Sequence, residues 1–386
     1  MTEHHRPSRR TVLAALGAAP LAGGVLGASD AAATTGRIPD ELRPGGEFDR
    51  YLAELAAEDR FAGTVLLTHR DRPVLARSHG FADRARRIPN GPETRFILGS
   101  ITKVFTALAI AQLAERGEVG FGERVGAYLD GFAPEVADHV TVHQLLTHTS
   151  GLGDFHSQEY LEQSRHWDSV EEFWDNTLEF VRRCELQAPP GNASIYSNAG
   201  YFILGAIVAK VARRSYYDHV REHVFERAGM TSSDFYTKPR WRADRGFAHP
   251  YHRDESGALV DGLELAPFVG APPGGSFADA ADLARFAKLM GGNRLLGVEF
   301  RHLAGSPKVP LSPDNTRFHS YLTAVERLNG EWMVGHSGGA TYGVSCNLDW
   351  FPESDWVAVI LGNYGDRSTK PIAEKAHELI SRHARG

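Results

Sequence analysis

Two periodicities alternate along the chain. Apolar residues at 61–67 and 73–78 flank the charged stretch His69-Arg70-Asp71-Arg72 and read as a β-hairpin. The two-residue period returns after about residue 314. There, 321–328 and 331–335 flank Asn329-Gly330, a dipeptide suited to a tight hairpin turn. A second strand pair, 342–350 and 356–361, surrounds Pro352-Glu353-Ser354. From about 120 to 313 the pattern is helical and loop-rich, with helices expected over 171–183, about 200–213, and from Asp279 and Asp282 to about Met290. Short helices are also expected over 49–59 and 371–382. Strands thus occur towards both ends, with a helical body between.

One apolar run belongs to neither strand group. Residues 104–114 are too long for a usual strand and rich in helix formers. The run follows Gly99 and the tetrad Ser100-Ile101-Thr102-Lys103, so Ser100 is expected at or just inside a helix N-terminus. Residues three apart share a helix face, which places Lys103 beside Ser100 one turn on. A serine hydroxyl is a poor nucleophile until its proton is taken. A lysine in apolar surroundings loses its preference for the charged form and can act as, or tune, a base. Lysine is scarce here, seven against 35 arginines, so one inside an apolar helix stands out.

Four further polar stretches lie near predicted element ends. Residues 140–153 read as a short helix running into a glycine-ended loop, with His148 either a ligand or base or a hydrogen-bonding residue at the helix end. Pro189-Pro190-Gly191 breaks the chain before Tyr196-Ser197-Asn198, on a loop ahead of a helix, where Asn198 also reads as an N-cap and Tyr196 as an anchoring aromatic. Pro272-Pro273-Gly274-Gly275-Ser276-Phe277 is a turn-rich loop whose glycines permit close backbone approach, and no Gly-Lys-Ser/Thr follows to make it a phosphate loop. His336-Ser337-Gly338-Gly339 follows a strand directly, where a backbone N–H beside glycines is open to an oxyanion.

Composition narrows the possibilities. The length of 386 residues suits one large or two medium domains. A net charge of −6 gives no basic surface for nucleic acid. No His-Glu-x-x-His is present and neither cysteine has metal-ligand spacing, so no metal and no cofactor is expected. Whether Cys184 and Cys346 pair is left open. Residues 1–33 read as an export segment: Arg6, Arg9 and Arg10 head it, an apolar Ala/Gly/Leu/Val-rich stretch follows, and Ala31-Ala32-Ala33 ends it. Ser8-Arg9-Arg10-Thr11-Val12-Leu13 resembles a twin-arginine signal. No later stretch is apolar enough for a membrane span, so an exported protein, periplasmic or secreted, is expected.

Taken in order, Ser100-Ile101-Thr102-Lys103, Tyr196-Ser197-Asn198 and His336-Ser337-Gly338 resemble the three motifs of the serine β-lactamase and penicillin-binding-protein family, in its class C β-lactamase and DD-peptidase branch. Residues 145–152 and 274–277 also look like recurrent stretches of that branch. The resemblance covers roughly residue 49 to the C-terminus. It implies an α+β fold, an antiparallel sheet from both chain ends flanked by helices, with a helical domain inserted. The boundaries expected are a sheet subdomain at about 45–118 and 315–386, and a helical subdomain at about 119–314, within a domain of 34–386.

The family's site, carried over by position, makes Ser100 the acylated nucleophile, with Lys103 and Tyr196 sharing proton transfer. It makes the backbone N–H groups of Ser100 and Gly339 the oxyanion hole. Asn198, His336, Ser337, Gly338 and Gly275 become substrate-binding. Class C β-lactamases usually carry Lys where His336 stands, and a His is only partly charged at neutral pH, which counts against efficient β-lactam hydrolysis. The expected function is an exported serine hydrolase acting through an acyl-enzyme on a small-molecule or peptide ester or amide. Its alternatives are an acyltransferase in natural-product biosynthesis, a β-lactamase, and a non-catalytic ligand-binding protein on the same fold. Asp154, Phe155, His156 and Phe277 are pocket-lining candidates from their nearness to motif loops. The oligomeric state is not legible.

Overall fold

The computed structural model describes residues 38–365 and 367–382; the candidate export segment, 1–33, lies outside them. The described residues build an eight-stranded antiparallel sheet. In spatial order its strands are Arg72–His79, Gly63–His69, Trp356–Gly362, Val344–Phe351, Glu331–Ala340, Ala324–Leu328, Arg317–His319 and Val309–Pro310. The early hairpin joins the late strands through Gly63–His69, which pairs with Trp356–Gly362 from Gly63 opposite Gly362 to His69 opposite Trp356.

The strand Trp356–Gly362 is buried throughout. Val357, Val359 and Leu361 enter one apolar cluster, and Ala358 and Ile360 enter another. A strand covered on both faces has no polar side, which is why this stretch shows an unbroken apolar run. One sheet face is covered by the helices Glu47–Ala57 and Lys370–Arg382, which set Phe48, Leu52, Ile372 and Leu379 against Val65, Leu67 and Ile360. The other face meets Ala280–Met290 and, beyond it, the body around Thr102–Glu115 and Asn198–Ala212.

Both hairpins, the helix after Ser100, and the helices near 49, 171, 200, 280 and 371 form within a few residues of the predicted bounds. The largest difference is functional. The strand expected over 331–335 continues through His336, Ser337, Gly338 and Gly339 to Ala340, because Val344–Phe351 pairs with it all the way. Its other neighbour stops at Ala324, opposite Gly335. Residues 336–340 therefore keep an edge that the Ala324–Leu328 strand does not cover, and this stretch packs against the turn Gly99–Ile101. The paired strands Phe96–Ile97 and Phe277–Ala278 are two residues each, too short to carry a period. No helix among the described residues is long and apolar enough to cross a membrane. Cys184 and Cys346 are free thiols, with the buried Cys346 directing its S–H at the Ile97 carbonyl, 3.4 Å away.

Candidate active site

A tight turn delivers Ser100 to the site. Gly99–Ile101 is one turn of 3-10 helix that runs into Thr102–Glu115. Gly99 has φ +51°, and a Cβ there would stand 2.8 Å from the Gly339 nitrogen. The turn is tied to the loop behind it. The Leu98 N–H donates to Ser276 O at 2.8 Å, the Gly275 N–H donates to Gly99 O at 3.2 Å, and the Thr102 hydroxyl donates to Gly99 O at 2.8 Å. Gly275 is buried with its N–H committed to this tie, so it supports the turn from behind.

Lys103 lies in a helix buried from Thr102 to Ala114, and it is itself 0% exposed. Its ammonium nitrogen reaches Asn198 Oδ1 at 2.7 Å, the Pro273 carbonyl at 2.7 Å and Ser100 Oγ at 3.3 Å. Loss of water around the amine lowers its pKa to about 7, against a smaller upward pull from the Asp154 carboxylate. Burial thus gives a lysine that exchanges its proton near neutrality and touches a partly exposed serine.

Tyr196 and Asn198 stand where a loop enters Asn198–Ala212. The helix cap is Ser197, not Asn198: its hydroxyl accepts from the Gly200 N–H at 2.8 Å and donates to Gly153 O at 2.9 Å. Asn198 is the first helical residue, and its side chain is spent instead on Lys103 and, through Nδ2, on Asp154 Oδ2 at 2.7 Å. The Tyr196 ring centre is 4.7 Å from the Lys103 nitrogen, and the residue is 48% exposed. The protein packed around its phenol pushes the pKa up to about 12, with a hydrogen bond to Ser100 pulling the other way.

His148 fixes the tyrosine's place. It holds φ +56°, accepts the Ile195 N–H on its carbonyl at 2.8 Å, and accepts the Ser197 N–H on Nδ1 at 3.1 Å. Both neighbours of Tyr196 are thus bound to one residue, whose ring also stacks on the phenol at 4.5 Å. Accepting on Nδ1 requires that nitrogen to be unprotonated, and burial holds the imidazole well below its ordinary pKa.

The opposite wall is the strand Glu331–Ala340. Gly338 lies so close to the serine turn that a Cβ on it would stand 1.8 Å from Leu98 O and 3.1 Å from the Ser100 nitrogen. Gly339 is exposed, with its nitrogen close against Gly99. Ser337 is exposed, while His336 is half-buried with Nδ1 2.6 Å from the Ser337 carbonyl. A carbonyl only accepts, so Nδ1 carries the proton. Burial, helped by the Lys103 charge, brings the His336 pKa down to about 4, which leaves the ring neutral and Nε2 a bare acceptor at neutral pH.

Ser100, Lys103, Tyr196, Asn198, His336, Ser337, Gly338 and Gly339 therefore converge from three parts of the chain. Of the pocket-lining candidates, Asp154 and His156 are at the site and bonded to each other. Phe155 is buried against Tyr160 and Phe202. Phe277 packs in the core on Trp241 and Phe247, because its two-residue strand turns it inward. The Pro273 carbonyl on Lys103 carried no sequence signal, since a backbone acceptor has no residue type. No group of three or more His, Cys, Asp or Glu among the described residues is placed to hold a metal.

The sequence profile of the beta-lactamase family matches residues 48–380. The chain belongs to that family. Among beta-lactamase-family relatives, "Penicillin-binding protein 4*" of Bacillus subtilis is 28% identical over 299 residues, 74% of this chain and 64% of the relative. "Esterase EstB" of Burkholderia gladioli is 32% identical over 230 residues, 56% of this chain and 57% of the relative. The chain thus spans less than two thirds of the length of these curated relatives. The solved penicillin-binding protein from Bacillus halodurans is 28% identical, with a TM-score of 0.75, over 85% of this chain and 98% of that one. The D-amino acid amidase of Ochrobactrum anthropi, 20% identical with a TM-score of 0.72 over 88% of this chain and 100% of its own, shares the fold.

Proposed function

We propose that the protein is a serine hydrolase that cleaves an ester or amide through an acyl-enzyme on Ser100. The observation that carries the reading is the buried Lys103 amine held between Ser100 Oγ, Asn198 Oδ1 and the Pro273 carbonyl, with its pKa drawn to about 7. Near neutrality a large share of these amines are uncharged and can take the serine proton as Oγ attacks the substrate carbonyl. Tyr196 keeps its proton at that pH, so it serves as donor and relay, passing a proton to the leaving group as the carbonyl re-forms. The negative oxygen formed between these steps falls to the backbone N–H groups of Ser100 and Gly339 at the junction of turn and strand. Losing one donor of such a pair typically costs on the order of a hundred- to a thousand-fold in rate. Water then attacks the acyl-enzyme, with the same amine and phenol moving its proton, and Ser100 is released.

Asn198 and the His336–Gly338 strand line the substrate's two sides. With its proton on Nδ1, His336 offers the substrate an acceptor and no positive charge. That favours an acyl donor without a carboxylate at this wall, a neutral ester or amide over a β-lactam or a peptide with a free C-terminus. The composition of residues 1–33 supports export of the mature protein. The test is labelling with a fluorophosphonate probe and turnover of p-nitrophenyl butyrate. Wild-type protein should take up one probe per chain and Ser100→Ala none; labelling of the alanine variant, or a wild type inert to both reagents, would overturn the assignment. Faster turnover of a penicillin than of the neutral ester would contradict the reading of His336.

A further inference from the structure

We propose that Asp154 is a positioning residue for this reaction: it fixes the orientation of the Asn198 amide, and that orientation leaves Ser100 as the one partner towards which an uncharged Lys103 can turn its lone pair. The inference rests on the acyl-enzyme reading and adds to it a residue whose bonds go to Asn198 and His156.

Asp154 Oδ2 accepts from Asn198 Nδ2 at 2.7 Å. Oδ1 accepts from the His156 backbone N–H at 3.2 Å and from its ring Nδ1 at 2.5 Å. Burial pushes the Asp154 carboxyl up, but the bonds from His156 and Asn198 outweigh it and hold the pKa down at about 2, so the group is an ionised acceptor at any working pH. The NH2 end of Asn198 is therefore committed to Asp154, and Oδ1 must face Lys103, which it does at 2.7 Å. The Pro273 carbonyl, also at 2.7 Å, can only accept. An uncharged amine has two N–H bonds and one lone pair. Two of its three partners here are acceptors that consume both N–H bonds, and the lone pair falls to the third, Ser100 Oγ, at 3.3 Å. With the amide reversed, Asn198 would donate into that lone pair and the serine would lose its base.

The carboxylate acts on Lys103 in a second way. Around the amine stand Ser100 on its own helix, Tyr196, Asn198 and Tyr201 from the Tyr196 loop and helix, His148 and Asp154 from the 148–154 stretch, and His336 from the sheet, with His319 beyond them against His148 and His156 against Asp154. His148, His319 and His336 are all held below their ordinary pKa, and Tyr196 and Tyr201 above theirs, so at neutral pH these five are uncharged. Asp154 is the negative charge in this set. It stabilises the ammonium form, so removing it lowers the Lys103 pKa.

The experiment measures the acylation burst with p-nitrophenyl butyrate from pH 5 to 9, with melting temperatures, for wild type, Asp154→Asn and Asp154→Ala. In Asp154→Asn the His156 backbone N–H still claims the side-chain oxygen, which turns the new NH2 group towards Asn198 and forces its amide over. In Asp154→Ala the amide is free rather than reversed. The plateau rate should fall about tenfold or more in Asp154→Asn, the equivalent of one hydrogen bond, and less in Asp154→Ala. The acid limb should move to lower pH in both, so the rate falls although more of the amine is uncharged. A purely structural carboxylate would instead give the larger loss in alanine, track the melting temperature and leave the limb in place; that result, or wild-type bursts in both variants, would overturn the proposal. If Asp154→Asn fails to fold, the plateau of Asp154→Ala decides: a rate below wild type at an unchanged melting temperature supports the orientation, and a wild-type plateau overturns it. A wild type that does not turn over the ester, or a Ser100→Ala variant that turns it over at the wild-type rate, indicts the acyl-enzyme reading itself.

Discussion

Gly338→Ala isolates the contact that brings the serine turn to the strand. The added methyl carbon would stand 1.8 Å from the Leu98 carbonyl oxygen, 2.9 Å from its carbon and 3.1 Å from the Ser100 nitrogen. These are backbone atoms, so no side chain can rotate out of the way. Bringing the closest contact to 3.0 Å requires the turn and the strand to separate by about 1.2 Å. Overpacking of this kind typically costs about 1–3 kcal/mol of stability. The larger effect falls on the reaction, because a displacement of about 1 Å at a reacting group can cost roughly a hundredfold in rate. The assay is the first-order rate of fluorophosphonate labelling beside a thermal melt, with Gly339→Ala as companion. At Gly339 the nearest atom a Cβ meets is Val344 O at 3.5 Å, an ordinary contact, so that variant should melt like wild type. Gly338→Ala should stay folded, melt lower and label on the order of a hundredfold more slowly. Labelling at the wild-type rate would refute the claim that this junction sets the geometry of the serine.

Other consequences follow from the same site. The acylation rate should rise with pH through about 7 as Lys103 loses its proton; Lys103→Met should abolish that limb and lower the rate by roughly 10²–10⁴-fold. A limb that survives in Lys103→Met would assign it to another group. His148→Asn keeps an acceptor for the Ser197 N–H and a side chain that tolerates positive φ, whereas His148→Ala keeps neither. The asparagine variant should therefore retain the greater share of activity, and equal losses in the two would contradict the role given to Nδ1. Tyr196→Phe should leave the melting temperature near wild type while slowing the burst, since the ring stays stacked on His148 and only the hydroxyl is lost.

What was legible in the sequence is what local pattern encodes. The Ser100 helix announces itself because a helix buried on every side is apolar on every side, and Lys103 stands out against that background. The hairpin at Gly63–His69 and Arg72–His79 shows because the apolar stretches 64–67 and 73–76 flank a charged turn. The strand through Gly338 and Gly339 did not show, since glycine has low strand propensity; a neighbouring strand holds it extended, and the close approach to Leu98 is what glycine serves there. His148 was legible as a hydrogen-bonding residue at a helix end and Asp154 as a neighbour of a motif loop, but the partner of each was not. Each acts through a residue more than 40 positions away, on Asn198 and on the Tyr196 loop, and only the fold brings those segments together.

Acyl transfer through Ser100 passes through a covalent bond to one oxygen. Rapid quenching of wild-type protein with p-nitrophenyl butyrate, followed by intact mass measurement and peptide mapping, reads that bond directly. The prediction is a single butyryl group on the peptide carrying Ser100, absent in Ser100→Ala and accumulating faster as pH rises through about 7. Turnover of the ester by Ser100→Ala at the wild-type rate, or an adduct on any other residue, would contradict it.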